Sequence, residues 1–144
     1  MPADSSSSIP NGLTQLVQAD QVQPAEARHL LAYLAAIEDP RSRAGRRHPL
    51  IAVLVIAAAA VLAGARSITA IAEWAADTPQ SIRAALGTHP DPLTGWWLVP
   101  TETTIRRTLA RLDAEALAAA IGAWLADRDR PGRRRAVAVD GKTL

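Results

Sequence analysis

The sequence predicts a mainly α protein: a helical bundle with a helix-turn-helix-like segment, followed by one short strand. Two observations carry the helical part. Apolar residues make up 49% of 144 positions, yet there are only four Trp, one Tyr and no Phe, and much of the apolar content is alanine, the best helix former. Apolar residues also recur at spacings of three and four between the glycines and prolines, the period of an α-helix. A third observation gives the strand. Ala136-Val137-Ala138-Val139 runs directly into Asp140-Gly141, a short apolar run closed by a turn pair.

Composition narrows the function classes. There is no cysteine, so neither a disulfide framework nor a thiolate metal site is available, which fits a cytoplasmic protein. Net charge is only +2 while the isoelectric point is about 9.9, because fifteen of the sixteen cations are arginine. The distribution says more than the total. Pro40 to Arg66 holds five arginines and no acid, and Arg128 to Arg135 holds five arginines against Asp129 alone. Concentrated arginine suggests a polyanion partner, although solvated helix ends give the same pattern.

Residues 1–23 contain Ser5-Ser6-Ser7-Ser8 and two prolines, with no Lys, no Arg and no long apolar run. They are expected to form a disordered tail rather than a secretory signal. A helical domain is expected over 24–128. Pro24 and Glu26 suit a first helical turn. Leu30, Leu34 and Ile37 then repeat at helical spacing, flanked by Ala27 and Leu31, and Asp39-Pro40 ends the helix.

The basic loop Arg41-Ser42-Arg43-Ala44-Gly45-Arg46-Arg47-His48-Pro49 follows. His48 has no partner at ligand spacing and reads as a helix cap rather than a zinc ligand. Leu50 to Ala63 is unbroken apolar sequence, too short for a membrane span of about 20 residues. It reads as a fully buried central helix stopped by Gly64.

Ser67 is placed to cap a helix with Ile68, Ile71, Ala72 and Ala75 on one face, and Asp77-Thr78-Pro79 starts a shorter one ending at Gly87. Thr88 to Pro100 reads as a loop or small hairpin. In it one tryptophan of Trp96-Trp97 anchors the chain, with base stacking as the alternative. From Thr101, Ile105, Leu109 and Leu112 form a buried stripe, with Thr104, Arg107 and Arg111 opposite and Arg106 to one side. This helix resembles the second helix of a helix-turn-helix, its arginines placed for phosphates or guanine edges. An ordinary solvated face is the alternative. Asp113 caps a last helix on which Leu117, Ile121, Trp124 and Leu125 cluster.

Several blocks taken together resemble a known family. They are Glu38-Asp39-Pro40-Arg41 with Gly45 to Leu50, Val61 to Ser67 followed by Ala70 to Ala75, Thr104 to Arg107 with Leu112-Asp113, and finally Ala138 to Lys142. Their order and spacing resemble the N-terminal part of bacterial insertion-sequence transposases of the DDE type. There a helical transposase-associated domain precedes a ribonuclease H-like catalytic domain. The resemblance spans Ala25 to Leu144. It implies that residues 129–144 are a basic linker and an orphan first strand of the catalytic fold.

By the same resemblance Asp140 matches the first acidic residue of the DDE triad, a ligand of Mg2+ in an intact catalytic domain. Two divalent ions about 4 Å apart need several carboxylates, and one aspartate does not assemble that site. The expectation is therefore a truncated chain, catalytically inactive and with no cofactor of its own. The expected partner is DNA, contacted by Arg41, Arg43, Arg46, Arg47, Thr104, Arg106, Arg107, Arg111, Arg133, Arg134 and Arg135. A second copy or an intact transposase is a further expected partner. A membrane and a small-molecule substrate are not expected. The rival reading is a protein-interaction or dimerisation module without DNA binding.

Overall fold

The computed structural model describes residues 8–19, 22–35, 37–39 and 50–129. The basic loop with Arg41, Arg43, Arg46 and Arg47, the segment with Arg133, Arg134 and Arg135, and the expected strand with Asp140 lie outside them. The described part is mainly helical. In order it comprises α1 (Asn11–Thr14), extended by a 3-10 turn (Gln15–Gln18), then a 3-10 helix (Pro24–Leu30) running into α2 (Leu31–Leu34). After these come α3 (Leu50–Leu62), α4 (Ile68–Asp77), α5 (Gln80–Ala85), strands β1 (His89–Pro90) and β2 (Trp97–Leu98), α6 (Glu102–Arg111) and α7 (Ala114–Asp129).

Helix α3 is the centre. Leu50 and every residue from Ala52 to Val61 are buried, as an all-apolar helix without an amphipathic face requires. Around it pack both 3-10 segments, α1, α2, α4 and α6. Its run of alanines at 57–60 lets neighbours come close on every side. The helix ends in a Schellman motif. Gly64 takes φ +120°, the Ala65 N–H donates to Ala60 O at 2.9 Å and the Gly64 N–H to Val61 O at 3.1 Å. The Arg66 guanidinium then donates to Val61 O at 3.0 Å and Ala65 O at 2.9 Å.

The other expected caps are present. Ser67 Oγ accepts from Ala70 N at 3.1 Å, and Asp113 Oδ1 accepts from Glu115 N at 3.0 Å and Ala116 N at 3.2 Å. The helix expected from Pro24 differs in form. It is 3-10 up to Leu30, only Leu31–Leu34 is α, and Leu31 is 38% exposed rather than on the buried side. A 3-10 stretch turns every three residues, which puts Ala27 and Leu30 against the core and carries Leu31 off it.

The larger correction concerns the expected tail over 1–23. Within it, residues 11–18 are helical and belong to the core: Leu13 and Leu16 are 0% and 1% exposed, and Val22 is buried. Too short to be seen as periodic, the segment is held by tertiary contacts. The Gln15 amide donates to Ala118 O at 3.0 Å. Gly12 sits so close to α7 that a Cβ there would lie 3.0 Å from Ala118 N and from Leu117 Cγ.

Further along α7, Arg128 pairs with Glu26 at 2.8 Å while its guanidinium lies 5.3 Å from the Trp124 ring centroid, and Tyr33 donates to Asp127. Glu26 also accepts from Gln23 N at 2.7 Å, so one carboxylate caps the 3-10 helix and clamps α7. Gly12→Ala should lower stability by about 1–3 kcal/mol through overpacking, and Leu13→Ala by about 2–5 kcal/mol. Urea melts of the two variants read both costs. A free tail would leave the melt unchanged.

Candidate nucleic-acid interface

Helix α6 carries the described part of the expected interface. Its start is fixed by Thr101, whose Oγ1 accepts from Thr104 N at 3.3 Å and donates to Thr104 Oγ1 at 3.2 Å. Glu102, in the first turn, suits the positive end of the helix dipole. It pairs with Arg106 one turn on and accepts from Thr69 Oγ1 at 3.2 Å, tying the start of α6 to the start of α4. Ile105, Leu109 and Leu112 are buried as expected.

Helices α4 and α6 pack together although α5 and the hairpin stand between them in the chain. The helix packed against the start of α6 is thus not the one that precedes it in the chain. The two-residue connections are those of α4 to α5 and of α6 to α7.

The four described candidates separate into two kinds. Thr104 is half-buried and occupied by the cap, and Arg106 is half-buried and paired with Glu102. Arg107 and Arg111 are exposed. They stand four residues apart on one helix face, so their side chains emerge on successive turns. Among the described residues neither has a salt-bridge partner.

Elsewhere three arginines serve the fold, while Arg28 is exposed on the 3-10 helix. Arg66 caps α3 and Arg128 clamps α7. Arg83 donates from Nε to Thr78 O at 2.9 Å, from Nη2 to Ala76 O at 2.8 Å and from Nη1 to Trp97 O at 3.0 Å, closing the end of α4 onto the hairpin.

Two features were not singled out from the sequence. Thr103 is exposed one turn before Arg107, extending the same face; its i, i+4, i+8 spacing with Arg107 and Arg111 was the available signal. Arg107 also lines, with Ser8, Pro10, Ile68, Leu109 and Ala110, a mostly apolar cleft of about 430 Å³ between α6 and the N-terminal segment. No sequence signal joins residues so far apart.

The match with known proteins falls on this architecture. The family model DDE_Tnp_1-associated matches residues 31–125, from α2 to near the end of α7 and with all of α6 inside. The chain belongs to the DDE_Tnp_1-associated family. That makes it an N-terminal region associated with DDE transposases. Comparison with the curated proteins and with the solved structures finds no match. Residues 8–19 and the 3-10 helix before Leu31 lie ahead of the matched range.

Among the described residues no group of three His, Cys, Asp or Glu side chains is placed to hold a metal ion. They do not fit the magnesium that DDE chemistry requires, and Asp140 lies outside them. Nor, among them, is any helix long and apolar enough to cross a membrane.

One α6 side chain is anomalous. Thr108 is 0% exposed and its hydroxyl has no hydrogen-bond partner among the described residues, a cost borne without evident return. Thr108→Val should therefore raise stability by about 1 kcal/mol, read as a higher melting temperature. A lower melting temperature would show that the hydroxyl is satisfied in solution.

Proposed function

We propose that the helical domain of this transposase-related chain binds DNA, with the outer face of α6 supplying phosphate contacts through Arg107 and Arg111. The observation that carries this reading is the division among arginines. Arg66, Arg83, Arg106 and Arg128 are consumed by carbonyls or carboxylates, whereas Arg107 and Arg111 stand exposed as a pair on adjacent turns of one helix, and Arg28, also exposed, stands singly on the 3-10 helix. A guanidinium offers five donors in a fixed fork that matches phosphate oxygens. Thr103, exposed on the same face, adds a neutral donor.

Arg106 has a different part. Paired with Glu102, which also bonds Thr69, it holds the α6 start against α4 and so aims the face that carries Arg107 and Arg111. The remaining candidates, Arg41, Arg43, Arg46, Arg47, Arg133, Arg134 and Arg135, would extend the footprint of positive charge. Membership of a transposase-associated family supports the element's own DNA as the proposed target, with the cytoplasm as the proposed place of action. In this reading the helical domain contributes binding. Strand transfer and its Mg2+ belong to the catalytic fold, for which Asp140 is this chain's proposed ligand.

Fluorescence anisotropy with duplex DNA across a salt series tests the reading. Each phosphate neutralised contributes about 0.9 to the slope of log K against log salt. The Arg107→Ala, Arg111→Ala double variant should flatten the slope by about 2 while keeping the wild-type melting temperature. An unchanged slope, or no binding by wild type at low salt, would refute it.

A further inference from the structure

Helix α7 delivers the chain that follows it to a groove. Arg128, next to the last residue of α7, donates to Glu26 Oε1 at 2.8 Å, and Glu26 Oε2 accepts from Gln23 N at 2.7 Å. Gln23 and Pro24 in turn line a groove of about 350 Å³ with Trp74, Asp77, Pro79 and Ile82. The end of α7 is thus tied, through one carboxylate, to the rim of that groove.

The lining is mainly apolar. Pro24, Pro79, Ile82 and the half-buried Trp74 make the kind of aromatic-bearing surface on which an extended, proline-containing segment packs. One edge is acidic. Asp77 lines the groove, and Glu73 stands four residues before it on the same exposed face of α4. Among the described residues neither carboxylate has a salt-bridge partner. Two carboxylates beside an apolar groove repel a nucleic acid and favour a basic segment that carries a small apolar residue.

The sequence that follows α7 has this composition. Arg130-Pro131-Gly132-Arg133-Arg134-Arg135 holds four arginines, one proline and no acid, and the next acid is Asp140. Arg135 is the sixth residue past Asp129, and six extended residues span about 20 Å. The segment is also tethered, so its effective concentration at the groove is on the order of millimolar. Exposed ion pairs are individually weak, but contacts too weak to hold a separate molecule suffice for a segment already delivered to the rim.

We propose that in the DNA-free chain the segment 130–135 docks back on its own helical domain, with Pro131 against the apolar lining beside Trp74 and the Arg133–Arg135 run on Asp77 and Glu73. Until a polyanion competes for them, those arginines face carboxylates. The groove then also sets where the expected strand that leads to Asp140 begins, beside α4 and α5. The contact uses neither Arg107 nor Arg111, so it stands apart from the DNA reading.

Timed trypsin digestion of the full chain without DNA, with the fragments weighed by mass spectrometry, tests it. Trypsin cuts after arginine, and a docked arginine is reachable only when the segment opens. Rates of cleavage after Arg133, Arg134 and Arg135 are taken relative to cleavage after Arg83, whose guanidinium is bonded inside the fold, so that any general loosening cancels. The relative rate should be about tenfold or more higher in the Asp77→Lys, Glu73→Lys variant than in wild type. Both residues are exposed, and lysine near the end of α4 suits the helix dipole, so the variant should melt as wild type does. The Arg107→Ala, Arg111→Ala chain should be cut at the wild-type rate, which separates failure of this contact from failure of DNA binding. Equal relative rates in wild type and the charge-reversed variant overturn the proposal. So does protection that grows with protein concentration between about 1 and 100 µM, which would put the segment of a second copy in the groove.

Discussion

The constraint on which the rest of the structure depends is the burial of α3 on all sides. A helix with no polar face must be surrounded, and thirteen residues from Leu50 to Leu62 offer too much apolar surface for one neighbour to cover. Segments on both sides of it in the sequence are drawn in: the 3-10 segments, α1 and α2 from before it, α4 and α6 from after it. The position of α6 follows from this. Ile105 and Leu109 are buried because the core is there, and the face with Arg107 and Arg111 is exposed because the opposite face is taken.

Around that centre the fold is closed by polar clamps placed where helices end. Arg66 and Arg83 finish α3 and α4 by satisfying terminal carbonyls, and Glu26 with Arg128 locks the last helix to the first segments. Such clamps need arginine's length and its several donors. An arginine-rich composition is therefore ambiguous by itself, since the same residue type serves both fold and partner. Exposure and pairing separate the two uses here. Family membership gives the exposed arginines a context.

Legibility from sequence followed the range of the interactions. The caps at Ser67 and Asp113, the stop at Gly64 and the stripe of Ile105, Leu109 and Leu112 are all readable, because each depends on residues within about one turn. The anchoring of Trp97 rather than Trp96 was foreseen only as one of the pair. Which one it is depends on Gln80 and Arg83, seventeen and fourteen residues away. Residues 11–18 do not register as helix in the sequence because two turns carry too little periodicity, and their burial rests on Ala118 and Leu117 in α7.

By itself the sequence determined the helical class, the central buried helix, the capped helix that bears the candidate arginines, and a likeness to transposase N-terminal regions that the family match supports. These are consequences of period, local hydrogen bonding and block order, all of which are properties of neighbouring residues. Only the tertiary structure decided that Arg106 is spent on Glu102 while Arg107 and Arg111 are exposed, that the N-terminal segment lines the cleft beside α6, and that Gln80 and Arg83 hold Trp97. Each of those depends on which distant elements the burial of α3 brings side by side. Helical spacing fixes the face a residue occupies, whereas packing fixes what lies opposite.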